Sequence, residues 1–195
     1  AFTGQSAPLL SPRHLAVDGL GNVHLTSDFS SAVFKVSASG VLQNPEAAGE
    51  PIRRRGDQSR FPQGVALDPA GHAYVADSFD NTIRKIAPDG TATTLAGLSE
   101  ADSLGDADGI GAAARFRPFT GVAADATGFV HVADRLNHTI RKVSPDGQVT
   151  TLAGLAGVSG QDDGVGTQAR FNGPGGVAVD AHGNVYVADT LNRTI

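Results

Sequence analysis

The chain of 195 residues contains no cysteine, no methionine and no tryptophan. The absence of cysteine excludes disulfides, a thiolate nucleophile and any cysteine-ligated metal. No apolar run approaches the ~20 residues that a membrane-spanning helix needs. The net charge of −5 argues against a surface that binds nucleic acid over its whole extent, because such surfaces are basic. Glycine, by contrast, contributes 25 residues, about twice its usual share, which is typical of a chain with many tight turns.

One segment of the chain recurs several times. Residues 64–97 and residues 121–154 share most of their sequence, a third copy starts at Gly176, and a weaker fourth copy covers residues 14–40. Self-similarity at a long and regular period is the signature of a repeat architecture. We therefore divide one domain of residues 1–195 into four repeats, at about 12–45, 61–97, 118–154 and 173–195, of which the last is incomplete.

Each repeat predicts four short antiparallel strands and no helix. In the copy at 64–97, an apolar run ends at Asp68, and the Asp-x-x-Gly that starts there is a type I turn signature. The words AYVAD, TIRKI and TATTLAG are the next three strands, separated by a polar loop and a Pro-Asp-Gly turn. The innermost strands are expected near 15–18, 65–68, 122–125 and 177–180. Such sheets bury their faces by stacking around an axis as the blades of a β-propeller, and a linear solenoid is the alternative.

The repeated words resemble those of the NHL-repeat family. The resemblance rests on G-V-A-x-D, on V-A-D, on the T-I-R-K strand and on the P-D-G turn, and Asn137-His138 falls at the family's name-giving Asn-His. It covers about residues 12–195 and is loosest in the first repeat, where Ser27 and Phe34 replace the Asp and Arg of the other copies. The resemblance implies an all-β propeller, usually with six blades, and the long connecting loops are similar to those of bacterial members.

Six repeats of this length need more residues than the chain has. We therefore expect the chain to be part of a longer propeller and not an isolated closed ring, with the last blade pairing with residues outside this numbering. Residues 1–4 resemble the end of an outer strand, so they could instead close a four-bladed ring beside the last repeat. A further copy of the chain could also pair with the open edge of its last blade.

The connections between repeats share the word D-G-x-G-x-x-x-R-F, at residues 108–116 and 163–171. We expect the Phe of this word to lie between adjacent blades and the Arg to tie its loop to a carboxylate or a carbonyl. Arg115 and Arg170 are candidates for pairing with an Asp of the loop. The first connection keeps only Arg-Phe-Pro, so the predicted structural set is Arg60, Arg115, Arg170, Phe61, Phe116 and Phe171.

Three aspartates end the second strand of their repeats, namely Asp77, Asp134 and Asp189. They could form a ring of carboxylates around a cation or a basic partner. Because they recur with the repeat, we favour a structural role, in which each side chain accepts hydrogen bonds from backbone N–H groups of its own turn. The repeated Arg-Lys pairs at 84–85 and 141–142 could form a basic ridge, but their acidic neighbours favour salt bridges between blades.

Candidate binding residues lie in the acidic connecting loops and at the axis. The loops contribute four carboxylates, from Asp106, Asp108, Asp162 and Asp163. Of these, Asp106 and Asp108 could give a weak calcium site together with Asp102, although the oxygen spacing of an EF-hand is absent. His14 stands where the other repeats have glycine at the start of the innermost strand, so it either lines the axial channel or is a structural histidine. We expect no cofactor and predict no catalytic residue.

The favoured function is a non-enzymatic binding scaffold that presents propeller loops to a protein or glycan partner. The alternative is a propeller enzyme, since the resemblance implies relatives that include a lyase and metal-dependent hydrolases with a site in the central channel. Such chemistry needs a tuned polar cluster, whereas all three glutamates lie in connecting loops, as Glu46, Glu50 and Glu100. A third possibility is an RNA-binding NHL domain, which the negative charge does not favour. An extracellular or periplasmic location is expected.

Overall fold

A computed structural model describes residues 12–27, 33–43, 62–99 and 103–195. Within these ranges the chain forms four sheets, one for each repeat. The first sheet contains β1 (Pro12–Val17), β2 (Val23–Ser27), β3 (Val33–Val36) and β4 (Leu42–Gln43), and the second contains β5 (Pro62–Leu67), β6 (Ala73–Asp77), β7 (Thr82–Ile86) and β8 (Ala92–Gly97). The third contains β9 (Gly109–Ile110), β10 (Gly121–Ala124), β11 (Val130–Asp134), β12 (Thr139–Val143) and β13 (Gln148–Ala153), and the fourth contains β14 (Pro174–Val179) and β15 (Val185–Asp189).

Consecutive strands of each sheet pair antiparallel and lie in chain order, so each sheet is a meander. β9 departs from this order, because it comes from the connecting loop and pairs with the outermost strand β13. In the fourth sheet, Asp189 forms a further bridge with Thr194. The predicted all-β architecture of antiparallel propeller blades is confirmed.

Helical structure among the described residues is confined to short 3₁₀ segments, at Gly111–Ala113, Arg135–Asn137 and Gly166–Gln168. Two of these lie in the connecting loops and one in the turn after β11. In the part of the chain that the structure describes, no helix has the length and apolar character that crossing a membrane requires.

The turns explain where the innermost strands end. The carboxylate of Asp68 accepts a hydrogen bond from the backbone N–H of His72, and the same bond to the residue four positions on is made by Asp18, Asp125 and Asp180. Because this aspartate belongs to the turn, the strand stops one residue before it. The predicted innermost strands are therefore one residue too long at this end, and the observed β5 also begins earlier, at Pro62.

The blades stack with their innermost strands side by side. β1 packs against β5, β5 against β10, and β10 against β14. The core between the second and third blades includes fully buried Tyr74, Ile83, Val130 and Val149. The buried cluster between the first and second blades is smaller and consists of Val33, Val65, Ala73 and Val75. Removal of this apolar surface from water is the main force that holds neighbouring blades together.

The two ends of the series expose side chains that the middle blades bury. Leu15 of the first blade is 67% exposed, whereas Val65 at the same repeat position is 4% exposed. Tyr186 of the fourth blade is 51% exposed, whereas Tyr74 is 0% exposed. Packing comparable to that between neighbouring blades does not occur between β1 and β14 among the described residues. The predicted role of residues 1–4 lies outside those residues.

The first glycine of the G-V-A-x-D word sits where two innermost strands approach closely. A β-carbon at Gly64 would lie 2.4 Å from the carbonyl oxygen of Thr120 in the next blade, and one at Gly121 would lie 2.8 Å from the Cα of Gly176. Both distances are too short for any side chain. In the first blade this position is His14, so the first two blades cannot approach each other in the same way there.

Gly64→Ala should therefore destabilise the chain, because the new methyl group meets backbone and not a movable side chain. We expect a loss of about 1–3 kcal/mol in the free energy of unfolding, measured by urea denaturation. Gly176→Ala is the matched control, since a β-carbon there meets only the β-carbon of Ala188, at 3.5 Å, and should change stability by less than about 0.5 kcal/mol. Equal effects of the two substitutions would contradict the close approach of the blades.

Candidate functional site

The three aspartates at the ends of the second strands bind backbone N–H groups. Asp77 accepts from the N–H of Asp80 in its own turn, at 3.2 Å. Asp134 accepts instead from Arg117, at 3.1 Å, and Asp189 from Asn172, at 2.7 Å. These two N–H groups belong to the segment that precedes the blade. The expectation of bonds to the aspartate's own turn therefore needs correction for Asp134 and Asp189, which fasten the preceding connection to the blade.

Arg141 is the centre of a buried polar network in the third blade. Its side chain is 0% exposed, and Nη1 lies 3.0 Å from Asp134 Oδ2 and 3.0 Å from the carbonyl oxygen of Arg115. Nη2 donates to the carbonyl of Ala107 at 3.1 Å and to Asp108 Oδ1 at 2.7 Å. The guanidinium therefore ties the second-strand aspartate to two points of the connecting loop.

The turn after β11 and the ring of Phe116 complete this network. Asn137 donates from Nδ2 to Asp134 Oδ2 at 2.8 Å and to the carbonyl of Gly105 at 2.7 Å. The guanidinium carbon of Arg141 lies 5.2 Å from the centre of the Phe116 ring, within the range of a cation–π contact. In the fourth blade, Asn192 repeats the contact of Asn137, donating to Asp189 and to the carbonyl of Gly160.

Asp108 is part of this network, although its side chain is 47% exposed. Besides Arg141, it accepts from the backbone N–H and the hydroxyl of Thr151, both at 3.1 Å. Of the two partners expected for the loop arginines, a carboxylate or a carbonyl, the structure shows the carbonyl and not the aspartate: Arg115 donates to the carbonyls of Ala112 and Ala114. Arg170 donates in the same way within its own loop. The salt bridges of Arg141 lie within one blade and its loop, so the expectation of bridges between blades is wrong for this residue.

Burial raises the pKa of Asp134 to about 6, against the opposing effects of hydrogen bonds from Asn137 and the charge of Arg141. The carboxyl is therefore ionised at neutral pH and can pair with the guanidinium. Burial also raises the pKa of Asp77, and the charge of Arg84 opposes that increase. A raised pKa in a buried carboxyl can mark a catalytic acid, but the Asp134 side chain is fully enclosed and its oxygens are bonded to the protein.

The other acidic loop candidates are exposed to solvent. These are Asp106, Asp162 and Asp163, of which Asp162 accepts a bond from the N–H of Arg170 through its backbone carbonyl. In residues 12–27, 33–43, 62–99 and 103–195, no group of three or more His, Asp or Glu side chains is placed to hold a metal ion. His14 is exposed, and its backbone N–H donates to the hydroxyl of Thr26 at 3.2 Å.

The two described phenylalanines of the loop word are placed differently. Phe116 is fully buried between the second and third blades, and its ring centre lies 5.3 Å from that of Phe119. Phe171 is partly buried and reaches the end of β13 in the third blade, where a β-carbon at Gly154 would lie 3.2 Å from its ring. Arg60 and Phe61 lie outside the described residues.

The aspartate at the end of each innermost strand also contacts a ring on the second strand. Tyr74 donates to Asp68 Oδ2 at 3.0 Å and Tyr186 to Asp180 Oδ2 at 3.2 Å. The two other blades carry histidine at this position, with Nε2 of His24 3.3 Å from Asp18 and Nε2 of His131 3.5 Å from Asp125. These carboxylates and rings therefore have a structural role. The sequence did not predict the contact between the aspartate and the ring.

Open apolar side chains recur at the turn between the second and third strands. Phe79, Leu136 and Leu191 occupy the same repeat position and are 45%, 50% and 58% exposed. We call these three residues the turn tips. Two positions further along the chain, the backbone takes a left-handed conformation in all three turns, at Asn81, His138 and Arg193. His138 also accepts the backbone N–H of Gly173 on Nδ1, at 3.1 Å, which links its turn to the next blade.

The other open feature is a cavity of about 540 Å³ between the first and second blades. It lies at the end of the blades that carries the turns after β1 and β5, opposite to the turn tips. Its walls include His24, Val33 and Lys35 of the first blade and Ala73 and Ala92 of the second. We call it the blade 1–2 cleft. Neither the turn tips nor Lys35 was among the residues that the sequence predicted, because position in the repeat alone does not show which side chains stay exposed.

Asp134→Asn should destabilise the chain, because it leaves the buried charge of Arg141 without its fully buried carboxylate partner. Removing one member of a buried ion pair costs about 3 kcal/mol or more, so urea unfolding should show a loss of that order. Asp163→Asn is the matched control at an exposed aspartate and should have an effect of less than about 0.5 kcal/mol. A loss for Asp134→Asn as small as that of the control would show that the network does not stabilise the blade.

Known proteins share these repeats. The family model described as the NHL repeat matches residues 60–86 and 171–194. NHL repeat-containing protein 2 of Homo sapiens is 36% identical over an alignment 146 residues long, which covers 69% of this chain and 20% of that protein. Protein SUPPRESSOR OF QUENCHING 1, chloroplastic, of Arabidopsis thaliana is 36% identical over an alignment 142 residues long, which covers 69% of this chain and 13% of that protein. The chain thus spans one fifth or less of the length of these relatives.

Solved structures show the same fold at low sequence identity. An auxiliary nutrient binding protein from Bacteroides ovatus has a TM-score of 0.73 and 23% identity, covering 93% of this chain and 46% of that chain. A catalytically inactive virginiamycin B lyase from Staphylococcus aureus has a TM-score of 0.64 and 12% identity, covering 95% of this chain and 51% of that chain. These likenesses show the fold alone, whereas the family-model match and the relatives at 36% identity show that the chain belongs to the NHL-repeat family.

Proposed function

We propose that the chain is a non-enzymatic binding module that presents the turn tips to a protein partner. The observation that carries this proposal is the recurrence of an exposed, large apolar side chain at one position of three successive blades. Single exposed apolar residues are ordinary on protein surfaces, whereas a repeated set on one face suggests a contact surface. Phe29 occupies the same repeat position in the first blade and lies outside the described residues.

The turn tips stand on backbone that the fold holds in place. Asp134 and Asn137 lie on either side of Leu136 and bond to each other and to the connecting loop. Asp189 and Asn192 do the same around Leu191. A side chain on a fixed turn loses little conformational freedom on binding, and this preorganisation favours affinity. The buried network therefore supports a binding surface as well as the blade itself.

A protein partner fits these side chains better than a glycan. Two of the three turn tips are leucine, and aliphatic side chains suit the apolar centre of a protein interface. Sugar rings stack on aromatic faces, and Phe79 is the one aromatic turn tip in the described blades. An RNA partner is not favoured by the net charge of −5.

An enzymatic role has less support in this chain. The lyases of similar fold are 12–13% identical to it, and such a likeness concerns the fold alone. The buried carboxylates Asp134 and Asp189 are engaged by the protein's own donors. The proposal therefore includes no catalytic residue and no cofactor. The extracellular or periplasmic location remains a prediction.

The test uses the double variant Leu136→Ser/Leu191→Ser. The immobilised chain captures proteins from its source, and the captured protein is then purified and titrated against each variant. We expect the double variant to bind more than about tenfold more weakly, as is usual when central apolar contacts are lost. Unchanged affinity of the double variant would contradict the proposal.

The matched control is Val17→Ser/Val41→Ser, which changes two residues that are 58% and 55% exposed away from the turn tips. We expect it to bind the captured protein as the unaltered chain does. A glycan array probed with the unaltered chain and the two double variants tests for a glycan partner. Saturable glycan binding that the turn-tip variant loses would replace the protein partner by a glycan.

A further inference from the structure

The blade 1–2 cleft has the size of a small-molecule site. Its volume of about 540 Å³ falls within the range of about 300–1,000 Å³ that is usual for ligand pockets. The second blade contributes an apolar wall that contains Ala73, Ile86, Pro88 and Ala92. The first blade contributes Leu20 and Val33 together with a polar group made of Asp18, His24 and Lys35.

The cleft exists because this junction has less side-chain volume than its neighbour. At the junction of the second and third blades, Tyr74 fills the equivalent space and is fully buried, and His24 replaces it in the first blade. Val130 and Val149 of the third blade are also fully buried there, and the second blade has Ala73 and Ala92 at their positions. One larger ring and two larger aliphatic side chains are thus absent from the cleft.

The acceptors of the cleft are already bonded. Asp18 accepts from the backbone of Leu20 and Asn22 and from the side chain of Asn22, at 2.7–3.0 Å. Asp68 accepts from the backbone and ring of His72 and from the hydroxyl of Tyr74, at 2.9–3.0 Å. The hydrogen bonds from Asn22 hold the pKa of Asp18 well below its usual range, so this carboxylate stays ionised at neutral pH.

The donor that remains is the ammonium group of Lys35. It forms a salt bridge with Asp18 Oδ2 at 3.7 Å, a distance longer than a hydrogen bond. In the next two blades the equivalent lysine lies over an aromatic ring, Lys85 5.6 Å from the centre of Tyr74 and Lys142 4.1 Å from the centre of Phe129. In the first blade these ring positions are His24 and Asn22, so Lys35 has three N–H donors next to an apolar cavity.

We propose that the blade 1–2 cleft binds a small organic acid, with its carboxylate on Lys35 and its aliphatic or aromatic body against the apolar wall. This site is separate from the turn tips, because it lies at the opposite end of the blades. A carboxylate matches the donors of an ammonium group and forms charge-assisted hydrogen bonds with it. A body of few apolar carbons would fill the volume that the second and third blades fill with Tyr74 and two valines.

The test is titration calorimetry with 3-phenylpropionate, its amide and 3-phenylpropylamine. We expect one molecule of the acid to bind to each chain. The amide and the amine should bind at least about tenfold more weakly, because the hydrogen bond between a carboxylate and the ammonium group is lost. Tighter binding of the amine would show that Asp18 and Asp68 recognise a cation, and it would overturn the proposal. Absence of saturable binding of the acid at millimolar concentration would also overturn the proposal.

Two variants locate the site. Lys35→Met keeps the aliphatic stem and removes the charge, and Ala73→Val/Ala92→Val installs the valines of the third blade. Each should weaken binding of the acid about tenfold or more, whereas Lys142→Met, at the equivalent lysine of the third blade, should leave it unchanged. Thermal unfolding checks that each variant is folded, and Ala73→Val/Ala92→Val should be no less stable than the unaltered chain. Unchanged affinity in either folded cleft variant would place the acid elsewhere and contradict the proposal.

Discussion

The buried contact between the Arg141 guanidinium and the Asp134 carboxylate organises the third blade and its loop. A guanidinium with no solvent exposure needs acceptors on several sides, and the structure supplies them from Asp108, Ala107 and Arg115 of the connecting loop. The loop must therefore close over the blade for the charge to be buried at all. In turn, closure buries Phe116 between the second and third blades, so the ion pair and the apolar junction depend on each other.

This dependence decides which residues are available for function. The recurring aspartates are used by the fold: Asp68 and its equivalents close turns, and Asp134 and Asp189 fasten loops. The side chains that stay exposed include the turn tips at one end, and Lys35 lines the cleft at the other. The proposed functions follow from these two surfaces, which lie at opposite ends of the blades.

The sequence predicted the blades well, because their turns and strands are local and repeat with little change. It did not predict the partner of Asp108, since Arg141 is 33 residues away and Arg115 is nearer in the chain. The sequence did contain a signal for the pair of Asp134 and Arg141. The first repeat has Ser27 and Phe34 at these two positions, and the joint loss of both charges is what a paired interaction predicts. The blade 1–2 cleft depends on three side-chain volumes at a junction between repeats, and no single repeat shows it.

Hydrogen exchange of the loop at 103–117 tests most directly whether the ion pair makes the loop part of the blade. The N–H groups of Gly105, Arg115 and Arg117 bond to Phe116, Ala107 and Asp134. If the loop is an integral part of the blade, these amides should exchange as slowly as those of β11 and β12, because exchange then requires opening of the blade. Exchange as fast as that of an exposed turn, while β11 and β12 stay protected, would show a loop that opens independently and would contradict the account.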